Sequence, residues 1–578
     1  MIQLDSICIP LTYQKLYKEK PNMDELKSSL AKLDKQILLK CTLTLLHNVD
    51  SWSNINEFIT HYFSKENKSF AYNVLHRYDE IISEFYTTSN GVIPQITIFT
   101  KHSCLELLRI IFSVNFTGDN LSDNATFQLV IFDWLLVIND MTTPTPNIPE
   151  NIDESLKWAY NALLNMSSYN DFTNIDATAN FILQCHKSRL LFDFLDSQDN
   201  LRRIKEIYLK EMGCKCWEEY IFVLAKLFVI DYQNKLSTTL IVLDENDPSF
   251  HHDKRILDQF AISSSEKISY DENVDFISFR DKPLIQFEKN TYWIIDKHFL
   301  ANRFYRSLFF GIKKQNDLIE KQYKLSDFFQ FITTRFSEET LFYDVMKHIV
   351  GKKSYIHYSG AAMRNMGTSG EPDYYIRNGN DIFLFEFKDS LYRKEDKVEC
   401  NYENVKSSIE KKLVHKENGD PSAIEQLCSS IAKILNNEFL IDLGIRSNKA
   451  KIYPILVVGD TTFTNVGMNF ILNNYLKTEI SNRNIENKNI RPLVLISIDS
   501  LILYQFDFEE KKLKLRSILD SYLKFLRMKY PYGKNDIIRN TAHYYFSLDQ
   551  YLRDKIPITS DKHHLEPLIK SFKERGLL

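Results

Sequence analysis

The stretch Glu371-Pro-Asp-Tyr-Tyr-Ile-Arg-Asn-Gly-Asn-Asp-Ile-Phe-Leu-Phe-Glu-Phe-Lys388 decides how this chain is read. From Ile382 onward both alternating faces are apolar until Glu386, the pattern of a central strand covered on both sides. Glu386 and Lys388 therefore fall at the end of a buried strand. Buried unpaired charge is costly, so both need partners or a metal. Asn378-Gly379 is a strong hairpin signal. With those two residues as the loop, Asp373 lies opposite Leu384. With a four-residue loop, Asn378 to Asp381, it lies opposite Glu386. Either register puts Asp373, Glu386 and Lys388 on one face, because opposed residues share a face and strands repeat every two residues. A three-residue loop without a bulge would turn Asp373 away.

Two neighbouring carboxylates repel unless a cation sits between them, and hard oxygen donors suit Mg²⁺ or Mn²⁺. The Phe387 carbonyl offers a further ligand. Lys388 can orient or deprotonate a water and stabilise a pentavalent phosphate. Metal-assisted in-line hydrolysis of a phosphodiester is the chemistry expected of such a set.

These residues resemble the PD-(D/E)xK superfamily, the restriction-endonuclease-like nucleases, with Pro372-Asp373 as the PD and Glu386-Phe387-Lys388 as the ExK. The resemblance implies that Asp373 and Glu386 bind metal and that Lys388 is catalytic. It also implies a glutamate from the first core helix. Glu339 is expected, on the face of Phe342 and Met346, with Glu338 the alternative; the ordinary reading of both is a helical first-turn acid favoured by the macrodipole. A glutamine on the next helix would be Gln426, in a helix opened by Asp420 as N-cap and Pro421 at N1. Its ordinary reading is a solvent-facing polar residue.

Working outward, the elements alternate from about residue 326. A helix is expected over 327–350, strands at 354–358, 373–377, 381–388, 451–459 and 491–498, and helices at 421–437 and 465–480. A loop is expected at 360–370 and a charged surface connection at 389–420. This α-β-β-β-α-β-α-β order predicts an α/β restriction-endonuclease-like core with a mixed sheet over 326–500. Residues 1–325 read as a mostly helical region, with a small β-containing part near 237–300. Asp24 to Leu46 places Leu26, Leu30, Leu33, Ile37 and Cys41 on one helical face. Residues 501–578 read as a basic helical extension. In it Lys511, Lys512, Lys514, Arg516, Lys524, Arg527, Lys529, Lys534 and Arg539 interleave with Tyr522, Phe525, Tyr530 and Tyr532, a composition suited to phosphate contact and base stacking.

Composition bounds the rest. The 578 residues are 44% hydrophobic and 26% charged, with 15 Gly and 15 Pro, which predicts several globular, helix-rich domains. The net charge of -4 excludes a simple basic nucleic-acid binder. The charge is unevenly placed, however. Residues 331–578 hold 37 Lys and Arg against 32 Asp and Glu, a balance of +5, which leaves -9 for the remainder. The C-terminal half thus suits a polyanion, and DNA is the expected partner. The N-terminal region is expected to bind a protein or a second copy.

The eight cysteines lack framework spacing, and Met-Ile-Gln-Leu-Asp-Ser lacks a secretory pattern, so reduced thiols in a cytoplasmic protein are expected. Phe127 to Ile138 is short and interrupted by Asp133, which predicts a buried helix and no membrane span. Cys214-Lys-Cys216, Cys185-His186, His251-His252 and His563-His564 lack paired zinc-site spacing and read as buried thiols and surface histidines. GxxxxGK[ST] does not occur, which excludes a P-loop motor. The expectation is a Mg²⁺-dependent DNA endonuclease, by analogy a bacterial anti-phage or restriction effector. The alternatives are RNA cleavage, or a non-catalytic interaction module on a degenerate nuclease fold.

Overall fold

The computed structural model describes residues 8–49, 55–88, 95–118, 123–142, 146–166, 176–234, 240–368, 370–415, 421–485, 488–528, 543–559 and 561–578. It is a mostly helical chain with a four-stranded and a five-stranded mixed sheet. The N-terminal helices also carry a short parallel pair, β1 (Cys8–Pro10) with β2 (Gln95–Thr97). The periodic stretch from Asp24 forms two helices, Met23–Ala31 and Lys35–His47, not one. Asp34 breaks it by accepting a hydrogen bond from the Ile37 amide as N-cap. The apolar helix Asn124–Thr142 is long and apolar enough to cross a bilayer, yet Phe127, Ile131, Phe132, Trp134 and Leu135 are buried in the first hydrophobic core.

The small sheet comprises β3 (Leu240–Val242), β4 (Ala261–Ser263), β5 (Leu284–Glu288) and β6 (Thr291–Ile294) in the order β3-β6-β5-β4. The larger sheet comprises β7 (Ile356–Ser359), β8 (Tyr374–Asn378), β9 (Asp381–Lys388), β10 (Lys451–Val458) and β11 (Val494–Ser497) in the order β11-β10-β9-β8-β7. β7, β8 and β9 form an antiparallel meander, while β9, β10 and β11 run parallel. β9 is thus the central strand. One of its faces packs Ile382 and Leu384 beneath the Ala423–Leu435 helix. The other packs Phe383, Phe385 and Phe387 against Phe342 and Ile349.

Three expectations about organisation change. Residues 389–420 are not merely a surface connection: they contain helices at Lys394–Val398 and Tyr402–Ile409 and a π-helical turn at Glu410–Val414. Tyr402, Val405, Ile409 and Leu413 are core residues despite the mixed charge around them. The helix carrying Gln426 begins at Ala423 with Ser422 as N-cap, and Asp420 lies outside the described residues. Residues 360–370 include a short helix, Gly360–Asn365, capped by the Ser359 hydroxyl.

Packing also crosses the linear division at 325. The Glu154–Met166 helix buries Ala159, Tyr160, Leu163 and Leu164 in the core beside β9. Leu568 and Phe572, near the C-terminus, join the helical core of residues 185–336. Two ion pairs tie the helical region to the C-terminal ends of the parallel strands: Lys187 to Asp499 at 2.8 Å and Arg306 to Asp460 at 3.4 Å.

Candidate active site

The hairpin turn settles the register. Asn378 pairs with Asp381 and Tyr374 with Phe385, so Gly379 and Asn380 form the turn. Gly379 takes φ +62° at the first central position, where a II′ hairpin places glycine. Continuing the count sets Asp373 opposite Glu386, the second of the two registers anticipated. Asp373 stands one residue before β8 and turns back across the ribbon. Its Oδ2 accepts a hydrogen bond from the Phe387 amide at 2.7 Å. That amide faces the β8 side, so the Phe387 carbonyl faces it too. Pro372 lies opposite Phe387 by the same count and has no N–H to donate to that carbonyl. The Asp373 carbonyl accepts from the Gly360 amide at 2.8 Å. A side chain at Gly360 would put its Cβ 3.3 Å from the Asp373 Cα and carbonyl oxygen, so this close approach calls for glycine.

Glu386 is fully buried. Neither carboxylate oxygen has a protein hydrogen-bond partner. Its charged neighbour is the Lys388 ammonium, 3.5 Å from Oε2. Burial, then the negative charge of Asp373, pushes the Glu386 carboxyl well above the usual carboxylate range, while Lys388 opposes the shift. Burial pulls Lys388 the other way, but Glu386, Asp373 and Glu338 outweigh it and hold the ammonium above the ordinary lysine value. Lys388 is therefore a fixed cation near neutral pH.

Of the two helix glutamates, Glu338 is the one near Asp373 and Lys388. Glu339 turns to Arg335, 2.7 Å away. Glu338 accepts from the Tyr343 hydroxyl at 2.8 Å, and its carboxyl is raised by burial and by the charge of Asp373. The reason is helical phase. Thr333–Phe342 is a π-helix, so residues five apart stack, as Glu338 and Tyr343 do. The α-helical spacing that selected Glu339 is off by one there. Arg364, overlooked in the sequence, lies 3.2 Å from Glu371 and 3.7 Å from Glu338. The Ser359 N-cap before Gly-Ala-Ala-Met-Arg364 was the available signal for that short helix. Gln426 is partly buried, and its Oε1 is buried with no hydrogen-bond partner. It is therefore not a solvent-facing polar residue.

The donor set fits a hard divalent ion. Two adjacent carboxyl groups, one fully buried with neither oxygen hydrogen-bonded, share a single ammonium. Asp373, Glu386 and the Phe387 carbonyl are the residues that would hold it. Glu338 acts on the site through charge: the three carboxylates do not bring their ligand atoms within 4.8 Å of one another, whereas Cys214, Glu219 and His252 do.

Of the basic C-terminal cluster, Arg516 lies away from this site. Arg516 pairs with Asp381 at 2.9 Å, at the start of β9, and seven residues at ~3.3 Å each put Lys388 roughly 23 Å away. Tyr522 and Phe525 are buried rather than free to stack, and Lys512 pairs with Glu510. Lys529, Tyr530, Tyr532, Lys534 and Arg539 lie outside the described residues.

No known protein family, curated protein or solved structure matches this chain.

Proposed function

We propose that this chain is a divalent-metal-dependent nuclease of the PD-(D/E)xK kind, hydrolysing phosphodiester bonds in DNA as an endonuclease. The observation that carries the reading is Glu386: a fully buried carboxylate with two bare oxygens, set beside Asp373 and Lys388 on one face of a central strand. A scaffold gains nothing from that burial, and a cation between the two carboxylates relieves it.

Asp373, held by the Phe387 amide, keeps its second oxygen for the ion. Glu386 would bind the ion as a carboxylate. A bound Mg²⁺ or Mn²⁺ would supply the Lewis acid that polarises the phosphoryl oxygen and a water. Lys388 would orient or deprotonate the attacking water and stabilise the phosphate. Glu338 and Arg364 set the local charge at the mouth of the site. A role as a bacterial defence or restriction effector, restrained by the helical region, belongs to the same reading by analogy alone.

The test is purified protein with Mg²⁺ or Mn²⁺ on plasmid, linear duplex, single-stranded DNA and RNA. Plasmid nicking or linearisation that EDTA stops, and that Asp373→Ala, Glu386→Ala and Lys388→Ala each abolish, is the expected outcome. Cleavage of RNA alone would move the substrate class and leave the site standing. Full cleavage by the three variants would remove the assignment.

A further inference from the structure

A cluster of metal-ligating side chains lies in the helical region, far from Lys388 in sequence and independent of the nuclease reading. We infer that Cys214, Glu219 and His252 bind one Zn²⁺ ion that fastens the turn after the Asp199–Met212 helix to the Phe250–Gln259 helix. Their ligand atoms all lie within 4.8 Å of one another.

Each residue is placed by its own local structure. Gly213 ends the Asp199–Met212 helix at φ +78°, its amide bonded to the Lys210 carbonyl and the Cys214 amide to the Leu209 carbonyl. This Schellman closure turns Cys214 inward. Glu219 sits in the first turn of the Trp217–Asn234 helix. Its Oε2 accepts from the Lys215 amide at 2.6 Å, which leaves Oε1 to face the site. His252 sits in the first turn of the Phe250–Gln259 helix.

His252 is already arranged as a ligand. Its Nδ1 lies 3.4 Å from Asp253 Oδ1, and that carboxylate is fixed in turn by Lys226 and the Ser249 hydroxyl. A proton held on Nδ1 leaves Nε2 as a bare lone pair, the orientation that carboxylates impose on zinc-bound histidines. Nε2 is buried with no hydrogen-bond partner and points at Glu219 Oε1, 3.4 Å away. With the proton on Nδ1, these two acceptors face each other and a cation would fit between them. With metal–ligand bonds of ~2.0–2.1 Å, the edge of a zinc tetrahedron spans about 3.4 Å. The thiol of Cys214 is buried, which pushes its pKa up to about 12, with Glu219 and Cys216 adding to the shift. An inert thiol is what remains until a metal enters. Coordination then breaks the S–H bond, forms a Zn–S bond and releases one proton to solvent. Zn²⁺ with one thiolate, one carboxylate and a neutral imidazole is a neutral centre, suited to a site where Cys214 is buried and Glu219 and His252 are half-buried. Cys216 is not in the cluster, so water would take the fourth position.

The full chain, purified without chelator or nickel resin and passed through gel filtration with equimolar Zn²⁺, is expected to retain one zinc by elemental analysis. Cys214→Ser and His252→Ala are expected to lose it, and Cys216→Ser to keep it. Asp373→Ala and Glu386→Ala are expected to keep it as well, which separates this site from the nuclease site. Co²⁺ added to the metal-free wild-type chain should give a thiolate-to-cobalt charge-transfer band. That readout does not depend on how the variants fold. A wild-type chain that holds no zinc and shows no such band, or zinc retained by both Cys214→Ser and His252→Ala, would overturn the inference.

Discussion

Replacing Lys388 with methionine separates a cation site from an ordinary buried ion pair. The substitution keeps the stem's packing and removes the charge 3.5 Å from Glu386 Oε2. At an effective dielectric of ~20, that distance corresponds to roughly 5 kcal/mol of attraction. The Lys388 side chain is 21% exposed, and Glu386 can escape by keeping a proton. Both effects cut the loss to about 2–3 kcal/mol. For a unit of this size that is roughly 5–10 °C in unfolding temperature. The decisive comparison is with and without Mg²⁺. If a divalent ion enters beside Asp373 and Glu386, it replaces the missing positive charge. Lys388→Met should then gain more from Mg²⁺ than the wild type does, since the ion no longer meets the ammonium. Saturation to 100 times Kd supplies about 2.7 kcal/mol, enough to close the gap. Differential scanning fluorimetry and urea unfolding in EDTA and in Mg²⁺ read the stability, and plasmid cleavage reads function. Stability is expected to return with Mg²⁺ while cleavage does not. An equal Mg²⁺ shift in both proteins, or none in either, would mean that no ion reaches Glu386 and that the pair is structural.

Glu338→Gln should lower cleavage about ten-fold or more, as loss of an outer-shell carboxylate does, while Glu339→Gln should leave it near wild type because its partner Arg335 is a solvent-exposed neighbour. The opposite ranking would mean that the π-helical phase is not the working one. Lys187→Met strands Asp499 in a largely buried pair and should cost about 3 kcal/mol, partly recovered in Lys187→Met/Asp499→Asn; a double-mutant cycle by urea unfolding measures the coupling. Burial lowers the buried His102 to about 4, below its ordinary value. The unfolded chain therefore binds the proton first: this contribution is complete above about pH 6.5 and is lost as pH falls toward about 4. Between pH 7 and 5 the advantage of the wild type over His102→Gln should shrink by roughly 2 kcal/mol, and a pH-independent difference would refute it.

Much of the site was legible because short-range rules govern it. Alternation in Asp381–Lys388 set the strand, its burial and the side from which Glu386 and Lys388 project. The Asn378-Gly379 signal marked the hairpin, and the turn itself is Gly379-Asn380, which keeps Asp373 on that side. Apolar runs of that kind dictate strand span and facing without reference to anything distant. Charge patterning was a poorer guide. Lysines around 394–414 flank core residues, and Arg516 pairs with Asp381 at the end of β9 away from the carboxylates.

Sequence alone determined the central ribbon and the three side chains that meet on it, because parity and turn chemistry are properties of neighbouring residues. Tertiary structure decided which register closed, which of Glu338 and Glu339 turned toward Asp373, and that the Glu154–Met166 helix packs beside β9. It also decided that Cys214, Glu219 and His252 meet. Those outcomes depend on packing between segments tens to hundreds of residues apart. No local periodicity encodes such packing, and the side chains that respond to it, as in the π-helical turn at 333–342, leave their ordinary spacing.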